Sequence, residues 1–371
     1  MDLREQISLM ALNGTYSVAE IAELFGVSRP TVYKYRNRYR AGGRSDLSDR
    51  SRAPHATRRT AEAIVARIVA DRRRFGFGSK KIRRRLVDED PQRHWPARST
   101  IDAILQREGL LRPRRRRKQF KSPFACRYAA TEPGELTTID FKGEFRLRDG
   151  RWCHPLTMAD GVSRYLLACE ALPSISLHHT WPVVERVFRE HGLPLAVLSD
   201  NGPPFGGHGV SRLSTFSVRL MELDIQPVFI MPGHPEQNAS HERMHKTLKE
   251  SASFRRARSF RDQQRILDEF RAIYNHERPH EGIGMDRPAH RHRSAPRPFP
   301  SSPPVIDYHS RFDVRSVFSN GCIKCRGQII FVSNALAGRR IALEPIDDHL
   351  YNVHFGSFLI GRLDELERRF L

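Results

Sequence analysis

Three acidic residues stand where they could share a divalent metal ion. Asp140 follows an apolar, β-branched run in LTTIDFKGEF (136–145) and precedes an aromatic, the pattern of a buried strand that carries an inward acid. Asp200 closes the short apolar run of LAVLSDNGPPF (195–205) at Ser199-Asp200-Asn201-Gly202, which puts it at a strand end entering a turn. Glu242 lies in MPGHPEQNASHERMHKTLK (231–249), where a Pro-Gly-His-Pro turn opens into helical periodicity. There Met244 and Leu248 share one face at i, i+4, and Glu242, Lys246 and Lys249 share another. Carboxylate oxygens suit Mg²⁺, which keeps waters for a substrate phosphate, and the two lysines would flank that phosphate. Taken alone, the last stretch is explained about as well by a solvated helix face with an i,i+4 Glu–Lys pair.

The elements that must position these acids are legible around them. Strand-like runs surround Asp140, Trp152–Ala159 and Tyr165–Ala171, with Asp160-Gly161 as a hairpin turn. A helix fits Leu177–His191, then come the strand ending at Asp200, a helix near Ser214–Leu223, a strand over Gln226–Ile230 and the Glu242 helix. Such an order predicts a mixed α/β layer built on one sheet.

The tokens TTIDFKG, LSDNGPPF, GHPEQNASHERMHKTLK and YNHERPH, in this order, resemble the ribonuclease-H-like core of retroviral integrases and of integrase-type (DDE) transposases of bacterial insertion sequences. With the basic front of the chain, the resemblance covers most of its length. It implies Asp140, Asp200 and Glu242 as catalytic metal ligands for two Mg²⁺ ions, with Mn²⁺ able to substitute and Asp140 bridging the pair. It also implies strand cleavage and strand transfer, with Lys246 and Lys249 on donor DNA. Glu236, in the turn, is the rival to Glu242.

The formal net charge of +21 points to a polyanion, and the surplus sits at the front: about 30 Lys/Arg against about 13 Asp/Glu in residues 1–121. SVAEIAELFGVSRPTVYKYRNRYR (17–40) reads as a helix-turn-helix. Ser17 and Glu20 form its capping box, Ile21, Leu24 and Phe25 its first buried stripe, and Ser28 the second cap. Its second helix would place Arg29, Thr31 and Lys34 at base edges or phosphates. A basic hairpin that binds protein is the competing reading. Three further helical patterns (60–111) suggest a second helical DNA-binding domain with Arg98, Ser99 and Thr100 at its reading end and Ser99 as cap.

The expected organisation is multidomain: helix-turn-helix (1–45), second helical domain (60–111), basic linker (112–133), ribonuclease-H-like integrase core (134–286), Pro-rich linker (287–314) and small β-barrel (315–365). Ile266, Phe270 and Ile273 are expected to face the core, and Arg278 and His280 are assigned no chemistry. Five cysteines give no disulfide framework; Cys126, Cys153 and Cys169 read as free thiols, and Cys322-Ile-Lys-Cys325 is a weak zinc signal. The start MDLREQISLM is unlike a signal peptide and no run is long enough to span a bilayer, so a cytoplasmic, nucleoid-associated protein is expected. Its expected partner is double-stranded DNA, both element ends and target, with a homo-oligomer assembled on it and no membrane. The competing functions are a catalytically inactive DNA-binding regulator derived from a transposase and a structural nucleoid protein.

Overall fold

The computed structural model describes residues 2–51, 59–111, 128–207, 212–251, 256–302 and 304–371. The basic run 112–121, Cys126 and part of the Gly-rich loop after Phe205 lie outside the described residues. The chain divides into two compact units, Met1–Thr60 and Ala61–Leu371.

The first unit holds α1 (Leu3–Asn13), α2 (Val18–Leu24) and α3 (Arg29–Gly42). The capping box at α2 is made in both directions, Ser17 N–H to Glu20 at 2.7 Å and Glu20 N–H to Ser17 Oγ at 3.3 Å. Ile7, Ile21 and Val32 are wholly buried where the helices meet. Leu24, expected in that stripe, is 65% exposed. On a helix of 7 residues the inward face falls instead to Val18, Ile21, Ala22 and Phe25, which follow i, i+3, i+4, i+7. Ser28 occupies the N-cap of α3, yet its hydroxyl meets Thr31 Oγ1 (2.9 Å) and not the backbone.

The second unit opens with α4 (Glu62–Phe75), α5 (Ser79–Glu89) and α6 (Arg98–Arg107), packed through Ile68, Ile82, Leu86, Ile101 and Leu105. Ala97 is the N-cap of α6, so Ser99 lies inside the first turn and does not cap it. Arg85, 7% exposed, fastens the three-helix cluster to the rest of the unit: its guanidinium reaches Asp71 (2.8 Å), Glu89 (2.7 Å) and the distant Glu277 (3.0 Å) and lies over the Phe75 ring.

Next come β1 (Leu136–Phe141), β2 (Phe145–Arg146), β3 (Trp152–Asp160), β4 (Leu166–Leu172), α7 (Leu177–His191), β5 (Ala196–Ser199), α8 (Thr215–Glu222), β6 (Gln226–Phe229), α9 (Ala239–Glu250) and α10 (Phe260–Ala272). The strands make one sheet in the order β4-β3-β1-β5-β6, antiparallel through β1 and parallel beyond it, with β2 on the start of β3. Val184, Phe188, Phe216 and Leu220 bring α7 and α8 onto one face, while Met244, Leu248, Leu267 and Phe270 bring α9 and α10 onto the other. The inward stripe of α10 is Gln263, Leu267, Phe270 and then Tyr274, a better helical period than the expected Ile266, Phe270 and Ile273. Ile273 turns instead to the α4–α6 cluster.

The Pro-rich segment carries α11 (Pro288–Arg291) and then runs along the sheet layer: Leu193 pairs with Arg297, and Ala295 N–H donates to His191 O at 2.7 Å. A Cβ on Gly192 would stand 2.5 Å from Ala295 O, so this approach requires glycine. The C-terminal part has β7 (Asp313–Ser316), β8 (Cys322–Cys325), β9 (Gln328–Phe331), β10 (Arg340–Pro345), β11 (Leu350–Phe355), β12 (Phe358–Asp364) and β13 (Arg369–Phe370). The expected small β-barrel is replaced by an open five-stranded sheet, β13-β12-β11-β10-β7, beside the hairpin β8–β9. Closure is not needed to bury its apolar side, because Val218 and Met221 of α8 join that core and Arg339 pairs with Glu222 at 3.0 Å.

Arg85→Ala leaves the buried Asp71 carboxylate with only the longer Arg67 contact (3.6 Å) and is expected to cost about 3 kcal/mol, whereas Leu24→Ser, at an exposed site, should fall within about 0.5 kcal/mol. Denaturant melts of the two variants check both.

Candidate metal centre

Strand alternation decides where Asp140 points. Ile139 enters the core under α7 and α8, so Thr138 and Asp140 face the opposite side, toward α9. The parallel register of β1 on β5 runs Leu136 to Ala196, Thr137 to Val197 and Thr138 to Leu198. Two further steps at the same offset set Asp140 beside Asp200, which leaves β5 at its C-terminal end. Asp200 is held in its turn by Gly202 N–H (3.1 Å), and Asn201 Nδ2 ties the loop to Ile230 O (2.8 Å). Glu242 lies exposed in the first turn of α9, on a helix anchored by Met244 and Leu248.

The electrostatics tie these three acids together. Burial first, then the negative charges of Asp200 and Glu242, raise Asp140 from an ordinary 3.8 to about 7. That is about 4 kcal/mol against ionisation. Burial also raises Asp200, against the pull of Gly202 N–H. The i,i+4 Glu242–Lys246 pair of the solvated-face reading does not form. Lys246 leans to Glu250 instead (3.7 Å), and among the described residues no cation pairs with Glu242 or Asp200. Glu236, the rival, receives His234 Nδ1 at 2.8 Å in the turn before α9.

Two histidines that the sequence reading passed over lie beneath the acids. His241 and His245 follow i, i+4 on α9, both buried, with Nε2 of each 2.7 Å from Thr157 Oγ1. That hydroxyl donates to Asp140 O (3.0 Å), so both imidazoles act as Nε2–H donors to it. His241 Nδ1 meets Thr138 Oγ1 (2.8 Å), and His245 Nδ1 faces the Asp140 carboxyl at 3.6 Å. Burial holds His241 down to about 3 and His245, with His241 and Lys142 adding to it, to about 2. Neutral rings give Asp140 no countercharge. Asp140, His241 and His245 form the one His/Cys/Asp/Glu group among the described residues with metal-like spacing. The Thr157 hydroxyl, however, already fills the point on which the two Nε2 atoms converge. The histidines therefore brace Asp140 while the carboxylates remain open, and uncompensated carboxylates fit a hard divalent ion. HxxxH on the face that bears Met244 and Leu248 was the available signal.

The other selected residues lie apart from this centre. Arg29 and Lys34 are exposed and Thr31 half-buried in the first turns of α3, with Lys34 Nζ 5.7 Å from the Tyr35 ring. Arg98, Ser99 and Thr100 are exposed in the first turn of α6, where Arg98 faces Asp102 at 3.8 Å. Lys246 and Lys249 are exposed on α9. Cys322 and Cys325 are free thiols on β8, the latter buried.

A sheet of this order, flanked by helices and carrying acids on β1, after β5 and on α9, defines an integrase-type, ribonuclease-H-like core. Comparison with known proteins agrees. Residues 130–235 and 223–288 match the Integrase core domain family, residues 3–55 a Helix-turn-helix domain and 31–105 a Homeodomain-like domain. A Sinorhizobium fredii protein named as a transposase is 24% identical over 67% of this chain and 54% of its own length. An IS476 insertion-element protein of Xanthomonas euvesicatoria is 28% identical over 62% and 64%, and an IS407 protein of Burkholderia multivorans 28% over 62% and 80%. The chain thus spans about half to two thirds of the first two relatives. Among solved structures, the HTLV-2 integrase catalytic core domain in complex with magnesium aligns over 44% of this chain and 100% of its own (12% identity, TM-score 0.33). A simian T-cell lymphotropic virus intasome in complex with the PP2A regulatory subunit B56 gamma aligns over 76% and 93% (15%, 0.38). The chain thus carries an integrase core domain behind helix-turn-helix domains, and the curated proteins it resembles are a named transposase and insertion-element proteins. No helix among the described residues is long and apolar enough to cross a membrane.

Because Asp140 is raised above its ordinary value, the metal-free protein keeps that proton up to about pH 7. The stability of the neutral carboxyl is complete below about pH 4 and is lost as pH rises through 7. A divalent ion held by these carboxylates would bind the ionised form, and its affinity, measured with Mn²⁺, would fall about tenfold per pH unit below 7 and level off above it. Thermal-shift titrations between pH 5 and 8.5 check this; a flat profile contradicts it.

Proposed function

We propose that this chain is a DNA transposase that binds the ends of a mobile element, cleaves them and joins the freed 3′-OH to target DNA, using Asp140, Asp200 and Glu242 as its metal-holding and catalytic residues. The observation that carries the reading is the coupling of the acids at Asp140, whose ionisation burial and the carboxylates of Asp200 and Glu242 oppose by more than the charge of Lys142 relieves it. Their hardness as ligands favours Mg²⁺, with Mn²⁺ as substitute, and two ions per site fit Asp140 as the shared ligand. Bound there, the ions would activate first water and then the DNA 3′-OH and stabilise the leaving oxygen. The chain's own part is to fix the geometry: the β1–β5 register sets two acids side by side, α9 carries the third in its first turn, and the Thr157–His241–His245 network bonds the backbone at Asp140. Lys246 and Lys249, exposed one and two turns beyond Glu242, are suited to the donor phosphates.

Arg29, Thr31 and Lys34 on α3 and Arg98, Ser99 and Thr100 on α6 are proposed to read or grip the element ends, since each set lies in the first turns of a helix and all but the half-buried Thr31 are exposed. Assembly as a homo-oligomer on DNA and a nucleoid-associated, cytoplasmic location accord with this reading, as do domains near 1–45, 60–111, 134–286 and 315–365 joined by linkers. An inactive regulator derived from such an enzyme would need no open carboxylates.

Asp140→Asn, Asp200→Asn and Glu242→Gln are each expected to lower metal-dependent nicking of element-end DNA at least 100-fold while duplex affinity stays within about twofold; Glu236→Gln should be mild. A variant of the three that nicks normally removes its residue from the site, and a wild-type protein that never nicks favours the regulator. In the full chain, Lys249→Glu should impair cleavage with little change in melting temperature, because an exposed lysine contributes at most about 0.5 kcal/mol to folding. Arg29→Ala should weaken the preference for element ends over random duplex, measured by competition binding.

A further inference from the structure

Along α9 and the segment after α10, three cations from separate elements gather without a direct ion pair among the described residues. Arg278 follows the helical turn after α10, half-buried, with its Cζ 5.5 Å from the Phe77 ring and Nη2 3.4 Å from Thr247 Oγ1. The same Thr247 hydroxyl donates to the backbone carbonyl of Arg243 one turn earlier on α9 (3.0 Å), so the exposed Arg243 leaves the helix on the turn next to it. Lys81 enters from α5, half-buried, next to Lys80, whose ammonium reaches Glu281 (3.4 Å) three residues past Arg278. The nearby acids are taken: Glu281 by Lys80, Glu250 by Lys246 (3.7 Å) and Glu277 by Arg85 (3.0 Å). Among the described residues none of Lys81, Arg243 and Arg278 has a carboxylate within 4 Å. The charges act on one another: burial foremost, then Arg278, with Arg243 and Lys80 adding to it, outweighs the pull of Glu281 and pushes the Lys81 ammonium down to about 7.

Bringing like charges into a half-buried junction is unfavourable unless an anion completes it. We infer that Lys81, Arg243 and Arg278 form a phosphate-binding notch for the DNA backbone, built jointly by the α4–α6 cluster and the core. Arg243 directly follows Glu242, so the notch continues the cationic side of α9 from Lys246 toward α5. A duplex gripped there would span from α6 to the carboxylates with its phosphates fixed at the junction. The inference rests on the reading of the chain as a DNA enzyme, and it gives the YNHERPH segment a role in holding that junction.

The test is the salt dependence of duplex binding by the full-length protein, wild type against Lys81→Ala, Arg243→Ala and the double variant. Arg278 is left in place because it packs on Phe77. Each lost phosphate contact should lower the slope of log K against log salt by about 0.9, so each single variant loses about three- to fourfold less affinity than wild type between 50 and 200 mM salt. Melting temperatures should hold or rise as repulsion is relieved. Variants that keep the wild-type slope while still nicking DNA overturn the notch alone, and so does binding of an acidic protein segment in place of duplex. A wild-type chain without affinity for duplex overturns the notch together with the function it rests on.

Discussion

The parallel pairing of β1 with β5 is the constraint on which the rest depends. Its offset runs Thr138 against Leu198, and the next same-face position on each strand is an acid. Two carboxylates in the low-dielectric edge of a sheet repel each other, and the charge of Lys142 relieves Asp140 by less than burial and the neighbouring acids oppose it. A protein that needed only stability would not be expected to keep that arrangement, because an apolar pair would serve the sheet better. The cost makes sense if an ion and a phosphodiester complete the site.

The surrounding architecture is arranged to hold that unfavourable centre still. Helix α9 is pinned through Met244 and Leu248, and its two histidines spend their polar atoms on Thr157 and Thr138, so the face beneath Asp140 is saturated with hydrogen bonds. Because the rings are neutral, they order the carboxyl without quenching its charge. Farther out, Arg85 fastens the α4–α6 cluster to the segment after α10, and the strap at Gly192–Arg297 closes the opposite end of the layer. A core of this kind positions its acids through rigid neighbours on every side.

Much of this was legible from sequence because the signals were local. β-Branched runs around Asp140 and Asp200, the capping box at Ser17 and Glu20, and the helical spacing of Met244 and Leu248 each state an element and its inward face. What escaped was set by tertiary partners. Leu24 shows an apolar residue that the short α2 had no neighbour to cover, and Ile273 one whose partner lay some 200 residues earlier in the chain. Ser99 has a capping side chain, but α6 begins at Arg98 with Ala97 as its N-cap. The barrel was over-read from alternating strands alone; alternation fixes a buried face, and here α8 covers it without closure. His241 and His245 were overlooked because only the fold reveals that Thr157 stands opposite Asp140 in the β1–β3 register.

The most direct test of the central claim is the anomalous difference map of a crystal soaked with Mn²⁺. The account predicts density within about 2.2 Å of carboxylate oxygens of both Asp140 and Asp200, with Glu242 turned toward it and the imidazoles of His241 and His245 still bonded to Thr157. Density held by His241 and His245 with Thr157 displaced, or a site ordered to the same resolution that takes up no Mn²⁺ at pH 8, would contradict it.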